Sequence, residues 1–230
     1  MTFTWRGALH GARASLAICL SDIAFGLVFG VLAGRAGLSL AEACLMSAVV
    51  NAGSSQYVAL TMWSNPIPLV PIVLTTLLIN VRHVLLGLTL QPWFARLPAR
   101  LAYPSYFFMS DESWALTLVE ARRSSFDRAF MLGAGAALTL SWVGFTAVGW
   151  IAGSAIANPA SVGLDFAYVA VFVALLVSLA RGRPSSLMLP WIPAAAVAIA
   201  SHQLLPGTWY ILLGAAAGAV TGLFLRPSHA

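Results

Sequence analysis

Charged side chains are what this 230-residue chain has least of, at 8% of the total, where a soluble domain carries roughly 25%. Lysine is missing altogether, and all twelve basic residues are arginines. They form no cluster and stand mostly at the ends of apolar runs, which excludes the basic face that nucleic-acid binding needs despite a net charge of +5. Cysteine occurs twice, as Cys19 and Cys44, each inside an apolar run and neither in a CxxC spacing. A metal or redox centre therefore has no ligand set, and a small buried hydrophobe is the plainer reading of both. The chain has no HExxH, no GxSxG, no P-loop and no Cys-His set, so hydrolytic, nucleotide-driven and metal-assisted chemistry lack their usual residues. Ser54 or Ser55 with His83 would supply a nucleophile and a base by residue type, but no spacing supports the pair. No cofactor is expected.

Apolar residues make up 60% of the chain, and the mean hydropathy is +0.89. Eight apolar segments account for nearly all of it: 14–34, 41–62, 67–90, 102–119, 129–153, 163–180, 185–203 and 207–225. Each is close to the roughly 17–25 residues that cross a hydrocarbon core of about 30 Å. Turn residues or charge mark the joints, at Arg35-Ala36-Gly37, Asn65-Pro66, Asn158-Pro159, Arg181-Gly182-Arg183-Pro184 and Pro206-Gly207 among others. The expected fold is all-α, a single polytopic membrane helix bundle of seven to eight transmembrane segments over residues 1–230. The first apolar run is about 20 residues long and contains Asp22, too long and too polar for a removable signal of roughly 7–15 residues, so it is expected to be a retained span.

Loop arginines set the orientation. With eight full spans, Arg6, Arg13, Arg122, Arg123, Arg128, Arg181, Arg183 and Arg226 lie inside, against Arg35, Arg96 and Arg100 outside. If segments two and four do not cross fully, Arg96 and Arg100 also move inside. The stronger bias favours broken or re-entrant segments two and four, and both arrangements keep the termini cytoplasmic. Small residues recur every fourth position as Gly26, Gly30 and Gly34 in segment one, Gly149 and Gly153 in segment five, and Gly214, Gly218 and Gly222 in segment eight. Such stripes allow close helix approach within lipid. In segment one the stripe shares its face with Asp22, so packing and function compete there.

Polar groups interrupt the apolar runs where lipid would not tolerate them. A charge at bilayer depth costs at least about 2.5–3.5 kcal/mol on insertion scales, so it faces a bundle interior, a partner or a water-filled path. Segment two carries Asn51-Ala52-Gly53-Ser54-Ser55-Gln56-Tyr57 at its midpoint. That is good material for an unwound helix whose free backbone groups bind solute, or for side chains bonding back to the backbone. In segment three, Thr76, Asn80, His83 and Gly87 share one helix face, with Arg82 about 100° away. Arg82 keeps its charge and requires a carboxylate, with Asp22, Asp111, Glu112 or a substrate as the alternatives. His83 is the side-chain type that titrates near neutrality, so with Asp111 and Glu112 it is a candidate proton relay. Asp165, at the start of segment six, is explained equally well by the helix macrodipole.

With these motifs in view the chain resembles the AzlC family, the large permease subunit of two-component branched-chain amino acid exporters in bacteria. The matching residues are Asp22 with Phe25-Gly26 and Phe29-Gly30; Gly37-Leu38-Ser39 with Glu42-Ala43; Ala52-Gly53-Ser54 with Gln56 and Tyr57; Asn80 with Arg82-His83 and Gly87; Asp111-Glu112 with Ala115-Leu116; and Leu164-Asp165-Phe166. They occur in the family's order over roughly residues 20–180. Two departures stand out. Ala24 occupies a position where the family usually has proline, which implies a first span without a kink, and Leu86 stands where a tyrosine is common. The resemblance implies a bacterial inner-membrane exporter of leucine, isoleucine, valine or analogues, working with a small companion membrane subunit of the AzlD type.

An amino acid needs a partner for its carboxylate, one for its ammonium and an apolar pocket. The stretch Asn51, Gly53, Ser54, Ser55 and Gln56 offers backbone and side-chain donors, with Asn80 and Arg82 as further ligands. Asp22 offers an acid for the ammonium, and Phe25 and Phe29 a pocket wall. Arg82 competes for the carboxylate. A proton gradient is the expected driving force because no nucleotide-binding motif is present. The alternative of another class is a passive channel or a non-transporting scaffold subunit whose polar residues only join helices.

Overall fold

The computed structural model describes residues 2–122, 126–156, 188–205 and 209–224, with residues 166, 169, 170, 173, 174, 176 and 177 between them. Most of segment six, Asp165 included, lies outside the described residues. Among those described there is no strand, and ten helices follow one another. They are α1 (Trp5–Arg35), α2 (Leu40–Val49), α3 (Gly53–Thr61), α4 (Leu69–Asn80), α5 (Arg82–Phe94), α6 (Ala99–Phe107), α7 (Asp111–Glu120), α8 (Ala129–Ser154), α9 (Trp191–Leu204) and α10 (Trp209–Phe224).

Local chemistry sets their ends. Thr4 caps α1 by accepting from the Gly7 amide at 3.1 Å, and α1 gives way to α2 through Gly37, whose φ of 91° suits a residue without Cβ. Ser39 and Glu42 form a reciprocal capping box on α2. Proline precedes α4 as Pro68, α6 as Pro98 and α9 as Pro190, where the missing amide hydrogen costs least.

Two runs are long and apolar enough to cross a membrane, Leu69–Phe94 through α4 and α5, and Ala129–Ser154 in α8. α1 supplies a third when its two arms, Trp5–Leu20 and Asp22–Arg35, are taken as one span. Those arms are bent by 65°, which corrects the expectation of an unkinked first span. Proline is not required for the bend, which falls between Leu20 and Asp22. Segments two and four are each split into two short helices, α2–α3 and α6–α7.

The largest helix interface joins α1 to α8, which run in the same direction. Its contacts are reciprocal. A methyl on Gly30 would strike the Thr146 carbonyl, and one on Gly149 the Leu27 carbonyl; Gly11 and Gly133 stand in the same relation to Phe130 and Ala8. Only glycine permits this approach of backbone to backbone. The stripe of Gly26, Gly30 and Gly34 therefore packs on α8, which answers the question the sequence left open. Thr4 and Asp127 close the near end through a hydrogen bond of 2.7 Å. The glycines of α10 serve a similar purpose, since Gly214 and Gly218 lie against Ala198 and Ala194 of α9.

Two apolar clusters flank this pair. One holds Phe29, Leu32, Leu38, Tyr57 and Leu60, with Trp142 and Trp150 packed against it. The other holds Leu90, Phe94, Met109, Phe126, Phe130 and Met131, from α5 to α8.

Candidate functional site

The interruptions of four elements meet. α2 ends at Val49 and α3 begins at Gly53, Val81 separates α4 from α5, residues 108–110 separate α6 from α7, and α1 bends beside Asp22. Arg82 opens α5 and joins three of them. Its Nη2 donates to Ser54 Oγ at 3.1 Å, and its Nη1 pairs with Asp111 Oδ2 at 3.0 Å. One guanidinium thereby ties together the first turns of α3, α5 and α7. Of the three carboxylates open to Arg82 in the sequence, the structure pairs it with Asp111. α1 also touches α7 and so borders the same neighbourhood.

The sequence explains why these helix ends are available. Ala52 stands at the N-cap of α3 and has no side-chain oxygen to give, so the first amides of that helix lack a capping acceptor. At α7, Ser110 and Ser113 cap each other's backbone, with Asp111 and Glu112 in the first turn, where the helix dipole favours acids. The Arg82 and Asp111 side chains remain 35% and 42% exposed. Facing water, such a pair is worth roughly 0–1 kcal/mol; within an apolar protein its greater consequence is that neither charge stands alone. Arg82 Nε and Asn80 Oδ1 are buried without a hydrogen-bond partner among the described residues.

Asn51 holds the next position. Its Nδ2 donates to the Phe107 carbonyl at 2.8 Å, and its Oδ1 accepts from Thr139 of α8 at 2.7 Å. Gln56 is fully buried and donates to Ser47 Oγ at 3.3 Å, which lies 2.9 Å from Thr146 Oγ1. Ser55 bonds back to the Ala52 carbonyl at 2.9 Å. Phe29 is fully buried, edge-on to Tyr57 at 5.6 Å and tilted against Trp142 at 6.2 Å. Phe25 packs against the same cluster, and its carbonyl accepts from the Tyr57 hydroxyl at 2.6 Å. Gly53 lies beside Trp142, whose Cη2 would be 2.9 Å from an added Cβ.

The structure thus joins Ser54, Arg82 and Asp111 through one guanidinium, while Asn51 bonds to Phe107 and Thr139 and Gly53 lies against Trp142. His83 is not joined to either carboxylate by a hydrogen bond among the described residues; its Nδ1 faces the Asn80 carbonyl at 3.2 Å. Sequence reasoning missed Ser47, Thr139, Trp142 and Thr146. A signal for the last three existed, because they stand three and four apart on one face of segment five. Among the described residues no cluster of three or more His, Cys, Asp or Glu is placed to hold a metal ion.

Apolar spanning helices around a polar, ion-paired centre at broken helices define a helical membrane protein of the kind that handles solutes. The comparisons agree. The AzlC protein family model matches residues 17–156, and the chain belongs to the AzlC family. It is 31% identical to the inner membrane protein YgaZ of Escherichia coli over 94% of this chain and 89% of that one. An uncharacterized membrane protein of Archaeoglobus fulgidus is 31% identical, over 90% of each chain. The branched-chain amino acid transport protein AzlC of Bacillus subtilis is 26% identical, over 66% of this chain and 59% of its own length. No solved structure matches.

Proposed function

We propose that this protein is a membrane transporter that exports branched-chain or similar neutral, apolar amino acids. In this reading it is one membrane-embedded domain of seven to eight segments in a bacterial inner membrane, with both termini cytoplasmic. It works with a small companion membrane subunit and draws on the proton gradient. The observation that carries the reading is Arg82 held between Ser54 and Asp111 where three helices begin. Broken helices with free backbone groups and a charged side chain are how transporters bind charged solutes away from bulk water. The Bacillus relative's name supplies the solute class.

In this scheme the substrate carboxylate meets the first turn of α3 around Gly53 and Ser54, with Arg82 alongside and Asn51, Ser55, Gln56 and Asn80 shaping the polar wall. Asp22 receives the ammonium, and Phe25 and Phe29 border the apolar pocket. His83, with Asp111 or Glu112, carries the proton. A second reading is favoured by the bonds that Arg82 and Asn51 already make, which would knit helices together without any solute. In that case the chain is a passive channel or a scaffold subunit. Counterflow in proteoliposomes separates the two. Labelled leucine should exchange against unlabelled leucine and saturate, with and without the small subunit; a leak that does not saturate sinks the transporter reading.

A further inference from the structure

The scheme above gives Trp142 no part. Trp142, midway along α8, has its indole Nε1 buried with no hydrogen-bond partner among the described residues. Tryptophan is usually placed so that this N–H finds an acceptor, and a buried donor without one points to a ligand or a water that completes it. Its surroundings are specific. The six-membered ring edge lies against Gly53, 2.9 Å and 3.1 Å from where a Cβ would sit. The ring also leans on Phe29 at an interplanar angle of 32°. Arg82 reaches the adjacent Ser54 and likewise keeps a buried donor, Nε, without a partner. Two unpaired donors from different elements thus flank one short stretch of chain, and one of them carries a large flat apolar surface.

The position of Trp142 is fixed from behind. A methyl on Gly26 would lie 3.4 Å from the Trp142 carbonyl and 2.9 Å from Phe145 Cβ, so its backbone is clasped by α1. The indole therefore projects from the part of the molecule least able to move toward the part where helices break. Aromatic residues with few rotors are well suited to read the shape of an apolar group while their polar edge orients it. Gly53, without a Cβ, is what lets the ring reach the first turn of α3.

We propose that Trp142 is a substrate-binding and specificity-determining residue of this transporter. Its indole N–H is a donor to the substrate carboxylate, and its ring is the wall that limits the side chain to a branched aliphatic size. This rests on the export of apolar amino acids proposed above.

Two variants test the two halves of the assignment, by counterflow of labelled leucine in proteoliposomes with leucine and phenylalanine as competing exchangers. Trp142→Phe keeps a flat ring and removes the N–H; the leucine KM should rise about tenfold, the scale of one hydrogen bond to a charged group, with the maximal rate little changed. Trp142→Leu opens the wall and should shift the preference toward phenylalanine by about tenfold, as for other pockets that measure apolar size. A Trp142→Phe protein with wild-type leucine KM overturns the hydrogen-bonding role. Wild-type selectivity in Trp142→Leu overturns the wall. If Trp142→Leu fails to insert, Trp142→Phe still decides, because a purely structural role would lower the amount of active protein without moving KM. Absence of saturable leucine counterflow in the unaltered protein would instead sink the transport reading itself, and this assignment with it.

Discussion

The α1–α8 pair and the α4–α5 run are both long and apolar, yet they are built for opposite ends. About a third of the α8 window is buried inside the molecule, against 6% of the α4–α5 window. α8 meets α1 glycine to carbonyl along most of its length, a close-packed contact with no room for adjustment. α4–α5 presents Val73, Leu77, Val84 and Leu88 outward and carries Arg82 and His83 near its middle. One pair of helices gives up side chains in order to hold still. The other carries a charged side chain near its middle and is joined to its neighbours by a few polar bonds. The comparison teaches that close packing and polar bonding are assigned to separate elements, linked through α3, whose Ser54 accepts from Arg82 and whose Gly53 touches Trp142.

The comparison breaks most completely at the glycines. Leucine in place of Gly30 or Gly149 would drive its side chain into the carbonyl of Thr146 or Leu27, and such overpacking costs about 1–3 kcal/mol or more. Size-exclusion profiles of detergent-solubilised protein should show most of the folded peak lost. Gly144→Ala on the same helix meets nothing within 4 Å and should leave the profile unchanged; equal loss in both would show that the helix, not the interface, is sensitive. Next in size is Gly53→Leu, which meets the movable ring of Trp142 rather than backbone. Leucine efflux should be abolished while membrane insertion persists, and normal efflux would remove α3 from the site.

Arg82 sharpens the comparison on the other side. Arg82→Gln leaves Asp111 without its partner, and export should fall by about tenfold or more. The double exchange Arg82→Asp with Asp111→Arg should not restore it if the guanidinium also serves the substrate; recovery of transport would show that the pair is only structural. The smallest effect is expected of His83→Gln. It preserves size and polarity and removes the ionisable ring, so the pH dependence of export should flatten more than the rate itself falls. A pH profile identical to the unaltered protein would exclude His83 from the proton path.

Much of the centre was legible from one physical fact, that lipid does not accept polar groups without a reason. Asn51, Gly53, Ser54, Arg82 and Asp111 stood out because each interrupts an apolar run, and among them the structure joins Ser54, Arg82 and Asp111 through one guanidinium. What spacing along a chain cannot give is which helix ends meet in space, so the partner of Arg82 stayed open among three acids. Thr139, Trp142 and Thr146 share one face of segment five, but in an apolar run that spacing alone reads as ordinary packing, and their neighbours are what single them out. The glycine stripe of segment one pointed to both packing and function because Asp22 lies on it, and only the reciprocal glycines of α8 separate the two. The bend beside Asp22 could not be read from the absence of proline, because proline is only one of several causes of a kink.

The shared direction of α1 and α8 fixes a parity. A chain whose first and fifth apolar runs point the same way must make an odd number of crossings between them. If the run Leu69–Phe94, which is long enough, makes one, then segments two and four add either two crossings or none. The two split segments rise or turn back as a matched pair. The stretch from Arg96 to Arg100 therefore reports on both at once, and a single accessibility label placed there reads out the path of two segments.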